Sequence, residues 1–466
     1  MMPTRGLLLR PSPPRIPHPR SARSAFDLGP DRRPLRVLLD DRATGSGDVF
    51  EFLIGLCGRP DIEAVSEATG APNRLTFEAP DREEDILPFT ITSAQRCTYN
   101  GIWPYSQWEA GARALTRSFD GTPGLPEGIR LAAVAEEIGA DALATADPLL
   151  LGHRHDRMLA RVNIRSVAET VALVGLFLRS RDDYTVWPEY PLTYGRKGYY
   201  WGLARALLPA AWRWFSACVA STHNGGPVQV LALGEAAIRR VDRALRCRDT
   251  IHIEVAKANN SRDAPDQALF YLDSLLVALG GAFDAVARVA HRTYGLPARS
   301  LRSASWRKDW WRRDLALADR DLADRMGPRS DGADALQLVT TLRNTLHGEA
   351  LGLVTVRSGG GEGRTLVTIP ADEADAVRAV LDRHPPATSF GIEKSSYGLA
   401  LKPEVLCETL VPWAIETLDG LMASTDVTGL PGVPSQGLRT GPPSDEKPRG
   451  LFSPQTRQRL RLLAGL

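Results

Sequence analysis

Cysteine is scarce in this chain and scattered: five in 466 residues, at Cys57, Cys97, Cys218, Cys247 and Cys407, with no CxxC pair. An odd and widely spaced set argues against a disulfide framework or a zinc site, and fits reduced, packed thiols in a cytosolic protein. An excess of one charge sign is also missing, because 57 Lys and Arg face 55 Asp and Glu. Bulk charge therefore gives no support to nucleic-acid binding, and any such site has to be local. No uninterrupted apolar run approaches the roughly 18 residues of a membrane span. Near the N-terminus the only apolar run, Leu7 to Leu9, is too short for a signal-peptide core. A cytoplasmic protein without a membrane partner is expected. No internal repeat is apparent.

What is present is ordinary globular material, 43% hydrophobic and 24% charged. The length exceeds what one core serves, so two domains are expected. Residues 1–36 hold eight Arg and two Asp around a run of prolines. Residues 1–33 therefore read as a disordered Arg/Pro-rich segment, or as translation from an upstream start. Residues 425–466 open with a stretch rich in Pro and Gly and read as a flexible tail, with a short basic helix from Pro454.

Between them the first pattern is α/β. Leu35 to Leu39 is a buried-strand run that ends in Asp40 and Asp41. Gly45 to Gly47 make a turn, and Asp48 caps a helix through Phe52, Leu53 and Leu56. Gly128 to Ile138 has helical apolar spacing, and Asp141 to Asp147 reads as a strand that again ends in Asp. A short strand from Val162 leads into a helix over Ala168 to Arg179. Alternating strands and helices predict a parallel sheet with helices on both faces, whose strand carboxyl ends form a ligand crevice. Carboxylates gathered there are hard oxygen donors of the kind that hold Mg²⁺ or Mn²⁺, although Asp at a strand end is also a common turn cap.

The run Ile138 to Leu151, followed by a strand and the helix Ala168 to Arg181, resembles the C-terminal half of a PIN domain, and Val37 to Asp41 resembles its first acidic strand. The resemblance covers residues 34–185 and implies a metal-dependent nuclease fold with four acids. Asp40 matches the first, Glu127 the third and Asp147 the last. Glu109 is taken as the second, with Glu51 as its competitor and Asp41 and Asp141 in reserve. Residues 58–104 read as irregular and longer than that family expects.

Residues 186–230 form a connecting segment. Tyr190, Tyr194, Tyr199, Tyr200 and Trp201 cluster there with Arg196 and Lys197, a composition that suits the packing of an interdomain joint better than base stacking. Helical periodicity then recurs over about Leu231 to Ala258, Gln267 to Tyr294, Ala333 to Leu351 and Pro403 to Met422, which predicts a bundle over 231–424. Leu353 to Val356, Arg364 to Ile369 and Phe390 to Leu401 supply a small β insertion.

The third helix carries Leu342-Arg343-Asn344-Thr345-Leu346-His347-Gly348. Residues four apart share a helical face, so Arg343 and His347 can meet one anion with Asn344 beside them. Such a cluster also suits a helix end, where cations complement the macrodipole. The motif, late in a bundle, resembles the signature of HEPN domains, helical modules of toxin and defence RNases. The resemblance implies RNA as substrate, a homodimer through the bundle and no metal at this site. His347 would move protons, Arg343 would stabilise phosphorane charge and Asn344 would orient them. That family places four to six residues between Arg and His, and this chain places three. Leu301 to Asp314 is the most basic and aromatic internal stretch, and Arg307, Lys308, Trp310, Arg312 and Arg313 are its candidates for RNA contact. A helix with its Trp face inward and its Arg residues solvated would have the same composition. Together these readings predict a ribonuclease of toxin or defence type, with an antitoxin or regulatory protein as a further partner. The alternative is a non-catalytic RNA-binding or dimerisation scaffold with the same folds.

Overall fold

The computed structural model describes residues 24–27, 32–68, 73–77, 86–93, 98–104, 127–155, 159–190, 193–257, 264–345, 351–357, 363–384, 390–395, 398–443, 447 and 449–466. The chain divides into two units: residues 1–193 with 256–261 and 462–466, and residues 194–255 with 262–461.

In the first unit Leu35–Leu39 (β1) is a central strand, with Leu35, Val37, Leu38 and Leu39 buried and Arg36 half-buried. It pairs in parallel with Ile62–Ser66 (β2) on one side and with Ala142–Ala144 on the other. With Asn73–Phe77 (β3), Ile86–Ser93 (β4) and Thr98–Pro104 (β5) preceding it, Ala142–Ala144 is β6, and Ile164–Arg165 is β7. The seven-stranded order is β5-β4-β3-β2-β1-β6-β7. Strand order reverses at β1, since β2 lies to one side of it and β6 to the other.

The sheet is mixed, which corrects the expected all-parallel arrangement. β4 pairs antiparallel with both β3 and β5, while β3 still runs parallel to β2. A full parallel crossover needs a dozen or more residues, and only a short segment joins β2 to β3. Pairing there is confined to Val65 with Asn73 and Ser66 with Arg74, the end of one strand meeting the start of the next. Pro88 and Gly101, inside β4 and β5, break the strand pattern that the sequence would otherwise display.

Alternation along β1 and its neighbours sends Leu38, Val65 and Leu143 into one apolar cluster with Ile129, Leu131 and Val134 of the helix Glu127–Glu137. Each such Leu contributes about 2 kcal/mol by leaving water. The helices Asp48–Cys57 and Val167–Ser180 pack against each other, and the latter lies on β6 and β7. Its start is defined by a capping box: Ser166 Oγ accepts from Glu169 N–H at 3.2 Å, and Glu169 Oε2 accepts from Ser166 N–H at 2.8 Å.

The second unit is mainly helical. Four long helices, Val228–Ala256, Ala264–Thr293, Asp331–Asn344 and Pro403–Ser424, stand where apolar periodicity places them. The third ends at Asn344, short of the expected Leu351, and Leu351 instead leads into a strand. Ala264–Thr293 packs against both Asp331–Asn344 and Pro403–Ser424, and its Leu272, Leu276, Leu279 and Phe283 are fully buried. By length and composition alone this helix could cross a membrane, although charged residues interrupt its apolar run, and 56% of its most apolar window is buried in the fold. Strands Gly352–Arg357 (β8), Gly363–Ile369 (β9), Ile392–Ser395 (β10) and Gly398–Leu401 (β11) form an antiparallel sheet ordered β10-β11-β9-β8.

Polar locks tie this unit together. Asp334, 2% exposed, accepts from Arg383 Nε at 2.9 Å and Nη2 at 2.5 Å, and lies 3.0 Å from His384 Nε2. Burial opposes its ionisation, but the hydrogen bonds from Arg383 and His384 prevail and hold the carboxyl below its ordinary range. Tyr200 Oη donates to Asp249 at 2.8 Å inside a buried network with Arg248. Tyr199 and Tyr200 are thus interior residues.

The segment expected as a flexible tail is anchored at both ends, while most of residues 431–440 is exposed. Val427 and Leu430 are buried, Ser221 Oγ donates to Pro431 O at 2.7 Å, and Phe452 meets Trp212 edge-on at 5.2 Å. A few apolar anchors outweigh a Pro/Gly-rich composition. Cys57, Cys218, Cys247 and Cys407 are free and buried, and burial pushes the Cys57 and Cys218 thiols up to about 12. Cys97 lies outside the described residues.

Candidate functional site

Because the strand order reverses at β1, the carboxyl ends of β1 and β6 are where a sheet of this kind places a ligand crevice. Asp40 leaves β1 there, with its N–H still donating to Ala144 O at 2.9 Å, so its backbone belongs to the ladder. Its side chain is 1% exposed. Asp147 follows β6 and starts the helix Pro148–His153, where its Oδ1 accepts from Leu149 N–H at 2.8 Å. Proline at the first helical position suits this cap, since its missing N–H has no partner to lose. Glu127 opens the helix Glu127–Glu137.

These three carboxylates converge on one residue that no sequence motif singles out, Arg42. Its backbone N–H and Nε donate to Asp40 Oδ1 at 3.1 and 2.8 Å, and its Nη2 donates to Asp40 Oδ2 at 3.0 Å. Nη1 reaches Glu127 Oε2 at 3.4 Å, and Nη2 lies 3.9 Å from Asp147 Oδ2. Thr145 Oγ1 adds a 2.6 Å hydrogen bond to Asp40 Oδ2. The hydrogen bond to Asp40 holds the Arg42 guanidinium charged more firmly than usual, against a smaller desolvation cost, and Glu127 and Asp147 add to this.

Two further acids border the crevice. Asp41 Oδ1 accepts from Ser66 Oγ at 2.6 Å, and its Oδ2 is buried without a hydrogen bond among the described residues. Glu67, just past β2, has its carboxyl raised above the ordinary range by burial, then by the charges of Glu127 and Asp41. Ser66 and Glu67 fall in the stretch whose sequence pattern is irregular, so neither carries a signal before β2 is placed beside β1.

Of the acids proposed from sequence, Asp40, Glu127 and Asp147 are brought together, while Glu109 lies outside the described residues. Asp141 sits at the opposite end of β6, where it accepts from Arg33 at 2.7 and 2.6 Å and from Arg36 N–H at 2.9 Å. Glu51 is exposed on the helix Asp48–Cys57. The hard oxygens gathered here are of the type Mg²⁺ or Mn²⁺ takes. Their arrangement does not fit an ion, because Arg42 and Thr145 occupy both Asp40 oxygens. No group of three or more His, Cys, Asp or Glu side chains among the described residues is disposed to hold a metal ion.

In the helical unit, Arg343 and Asn344 occupy the last turn of Asp331–Asn344 and are half-buried. Arg343 lies over Gly280, where an added Cβ would come 3.4 Å from Nη1, and its Nε is buried without a hydrogen bond among the described residues. His347 lies outside the described residues.

The basic stretch divides by face. Trp306 and Trp311 are buried edge-to-face at 5.0 Å, with their indole N–H groups donating to Phe283 O and His291 Nδ1, each at 3.1 Å. Arg307, Lys308, Trp310 and Arg313 are exposed or half-exposed. Arg312 is turned inward to Met326 O at 2.6 Å and to Asp309, so its guanidinium serves the fold.

No protein-family model, curated protein or solved structure matches the chain.

Proposed function

We propose that this chain is a ribonuclease of toxin or defence type, with the crevice between β1 and β6 as its phosphodiester-directed site. The observation that carries the reading is the convergence of Asp40, Glu127 and Asp147, from three separate elements, on the Arg42 guanidinium at the point where strand order reverses. Mg²⁺ or Mn²⁺ dependence belongs to the proposal, and an ion would enter in exchange for Arg42. The PIN-like likeness of this unit rests on the acidic strand ends and on the helix that follows β7.

The helical unit is proposed as a HEPN-like module that binds RNA and pairs with a second copy. Arg343, Asn344 and His347 would form a metal-independent site in which His347 moves a proton at the 2′-hydroxyl or leaving oxygen and Arg343 stabilises the charged phosphorane. An antitoxin or other regulatory protein is a further expected partner.

A second reading, a non-catalytic RNA-binding or dimerisation scaffold, is favoured by the saturation of Asp40 by Arg42 and Thr145. One experiment separates them: cleavage of RNA by the full chain in EDTA, Mg²⁺ and Mn²⁺, with Asp147→Asn and His347→Ala. The nuclease reading expects cation-dependent cleavage lost in Asp147→Asn and EDTA-resistant cleavage lost in His347→Ala. Absence of cleavage in every condition would leave the scaffold.

A further inference from the structure

We infer that Arg42 is a built-in counter-ion that holds the acidic crevice closed, an autoinhibitory latch in which the protein's own guanidinium takes the place of an exogenous cation. The inference rests on the reading of this crevice as a functional site. It follows from the disagreement between donor chemistry and donor arrangement: the side chains are those a divalent ion prefers, yet a side chain of the same chain already satisfies Asp40 and lies between it, Glu127 and Asp147.

Three observations carry it. Arg42 is two residues from Asp40 in a short 3₁₀ turn over Asp41–Ser46, so its backbone and side chain grip the carboxylate together. Asp40 is sealed in the sheet at 1% exposure and cannot turn to water for compensation. Arg42 itself is 41% exposed in its side chain, and its links to Glu127 and Asp147 are long. The guanidinium can therefore swing into solvent without disturbing the core, whereas Asp40 cannot follow it.

Charge balance adds direction. Among the described residues, Asp40, Asp41, Glu67, Glu127 and Asp147 gather around the Arg42 guanidinium. Opening the latch leaves concentrated negative charge, so a cation is the species that would stabilise the open form. While the latch is closed, an ion's apparent affinity is reduced by the fraction of molecules that are open.

The test uses the full chain and Mn²⁺ alone as probe, with thermal midpoint and calorimetric binding as readouts for wild type, Arg42→Met, Arg42→Lys and Arg42→Met with Asp40→Asn. Expected are a small Mn²⁺ response in wild type and a lower midpoint for Arg42→Met in EDTA, restored by Mn²⁺. Arg42→Met should bind Mn²⁺ at least about tenfold more tightly than wild type, the gain expected from removing the closed state. Arg42→Lys keeps the charge without the fork and should fall between the two. Adding Asp40→Asn should abolish the response. Mn²⁺ binding by Arg42→Met that is no tighter than wild type, or that survives Asp40→Asn, overturns the inference. Should Arg42→Met not fold even with Mn²⁺, Arg42→Lys decides: no gain over wild type overturns it, and a gain supports it. RNA cleavage in the same samples is a separate result. Tight Mn²⁺ binding by Arg42→Met without cleavage by any form sinks the nuclease reading and keeps the latch. Mn²⁺-dependent cleavage by wild type with no gain in Mn²⁺ binding by the variant does the reverse.

Discussion

Asp147 does two separable things, and Asp147→Asn should keep one and lose the other. Its Oδ1 caps the helix Pro148–His153 through Leu149 N–H at 2.8 Å, and its Oδ2 faces Arg42 at 3.9 Å. Asn offers the same capping oxygen, and as an N-cap it is about as good as Asp, so the cap costs a few tenths of a kcal/mol. The Arg42 interaction is long and partly solvated, worth below about 1 kcal/mol. The midpoint should therefore fall by no more than about 2–4 °C in a unit of roughly 200 residues. If the crevice is the reactive site, deleting one of its preorganised charges should slow RNA cleavage by about 10²–10³-fold. The assay is single-turnover cleavage in Mn²⁺ beside a thermal melt of the same preparation. Cleavage within about twofold of wild type, or a loss of activity that merely tracks a much larger drop in midpoint, would refute the reasoning and return Asp147 to a plain helix cap. Gly128→Ala approaches the same point without touching a charge. Its Cβ would stand 2.5 Å from Asp147 Oδ2 and 3.0 Å from Leu150 Cδ1, so the carboxylate has to move. That variant should lose midpoint and cleavage together, with an overpacking cost of about 1–3 kcal/mol.

Other expectations concern the helical unit. Asp334→Asn breaks the clamp on Arg383 and His384 and should cost about 2–3 kcal/mol at pH 7, just below the about 3–5 kcal/mol of a fully buried pair because Arg383 is 32% exposed. The Asp334 carboxyl is held below its ordinary range, so its contribution is complete above about pH 4 and disappears as pH falls further. Denaturant midpoints of wild type and variant should thus differ at pH 7 and converge in acid. Asp273 shows the opposite sign: burial pushes its carboxyl up to about 6, and its Oδ1 is buried without a hydrogen bond among the described residues. The folded state gains from holding that proton, and the gain disappears as pH rises through about 6, so Asp273→Asn should stabilise the unit at pH 7 by about 1 kcal/mol after allowance for partial exposure. A midpoint unchanged between about pH 5 and 7 would argue against it. If Arg307 and Arg313 touch phosphates, reversing both to Glu should weaken RNA binding in anisotropy titrations and reduce the salt slope by about one for each phosphate no longer neutralised. Arg312→Gln should instead lower the midpoint.

Much of the fold is legible because burial on both faces of a strand and burial on one face of a helix leave different periodicities. The run from Leu35 to Leu39, the helical spacing over Ala168 to Arg179, and the apolar stripe of Ala264–Thr293 are all local signals that tertiary structure has no reason to override. Strands β2 to β5 are not legible. β2 and β3 pair over two positions only, and β4 carries Pro88 and β5 Gly101, residues that ordinarily argue against a strand. Their place is decided by the neighbouring strand, which a local pattern does not contain. The anchoring of the tail is hidden for a related reason, since Val427 and Leu430 are isolated apolar residues whose partners are distant in sequence.

The site is half legible, and the other half changes its meaning. Asp at the ends of two strands in an alternating pattern is enough to place Asp40 and Asp147 at one crevice, because strand carboxyl ends share an edge. Arg42 stands in the same segment, yet a lone Arg after two acids carries no signal until the turn over Asp41–Ser46 folds it back. Once folded, it supplies the positive charge that acidic strand ends lead one to assign to an external ion. An inventory of acids therefore identifies where charge gathers but not what balances it. For this crevice part of that charge is internal, and its capacity for an external cation turns on whether Arg42 can leave Asp40.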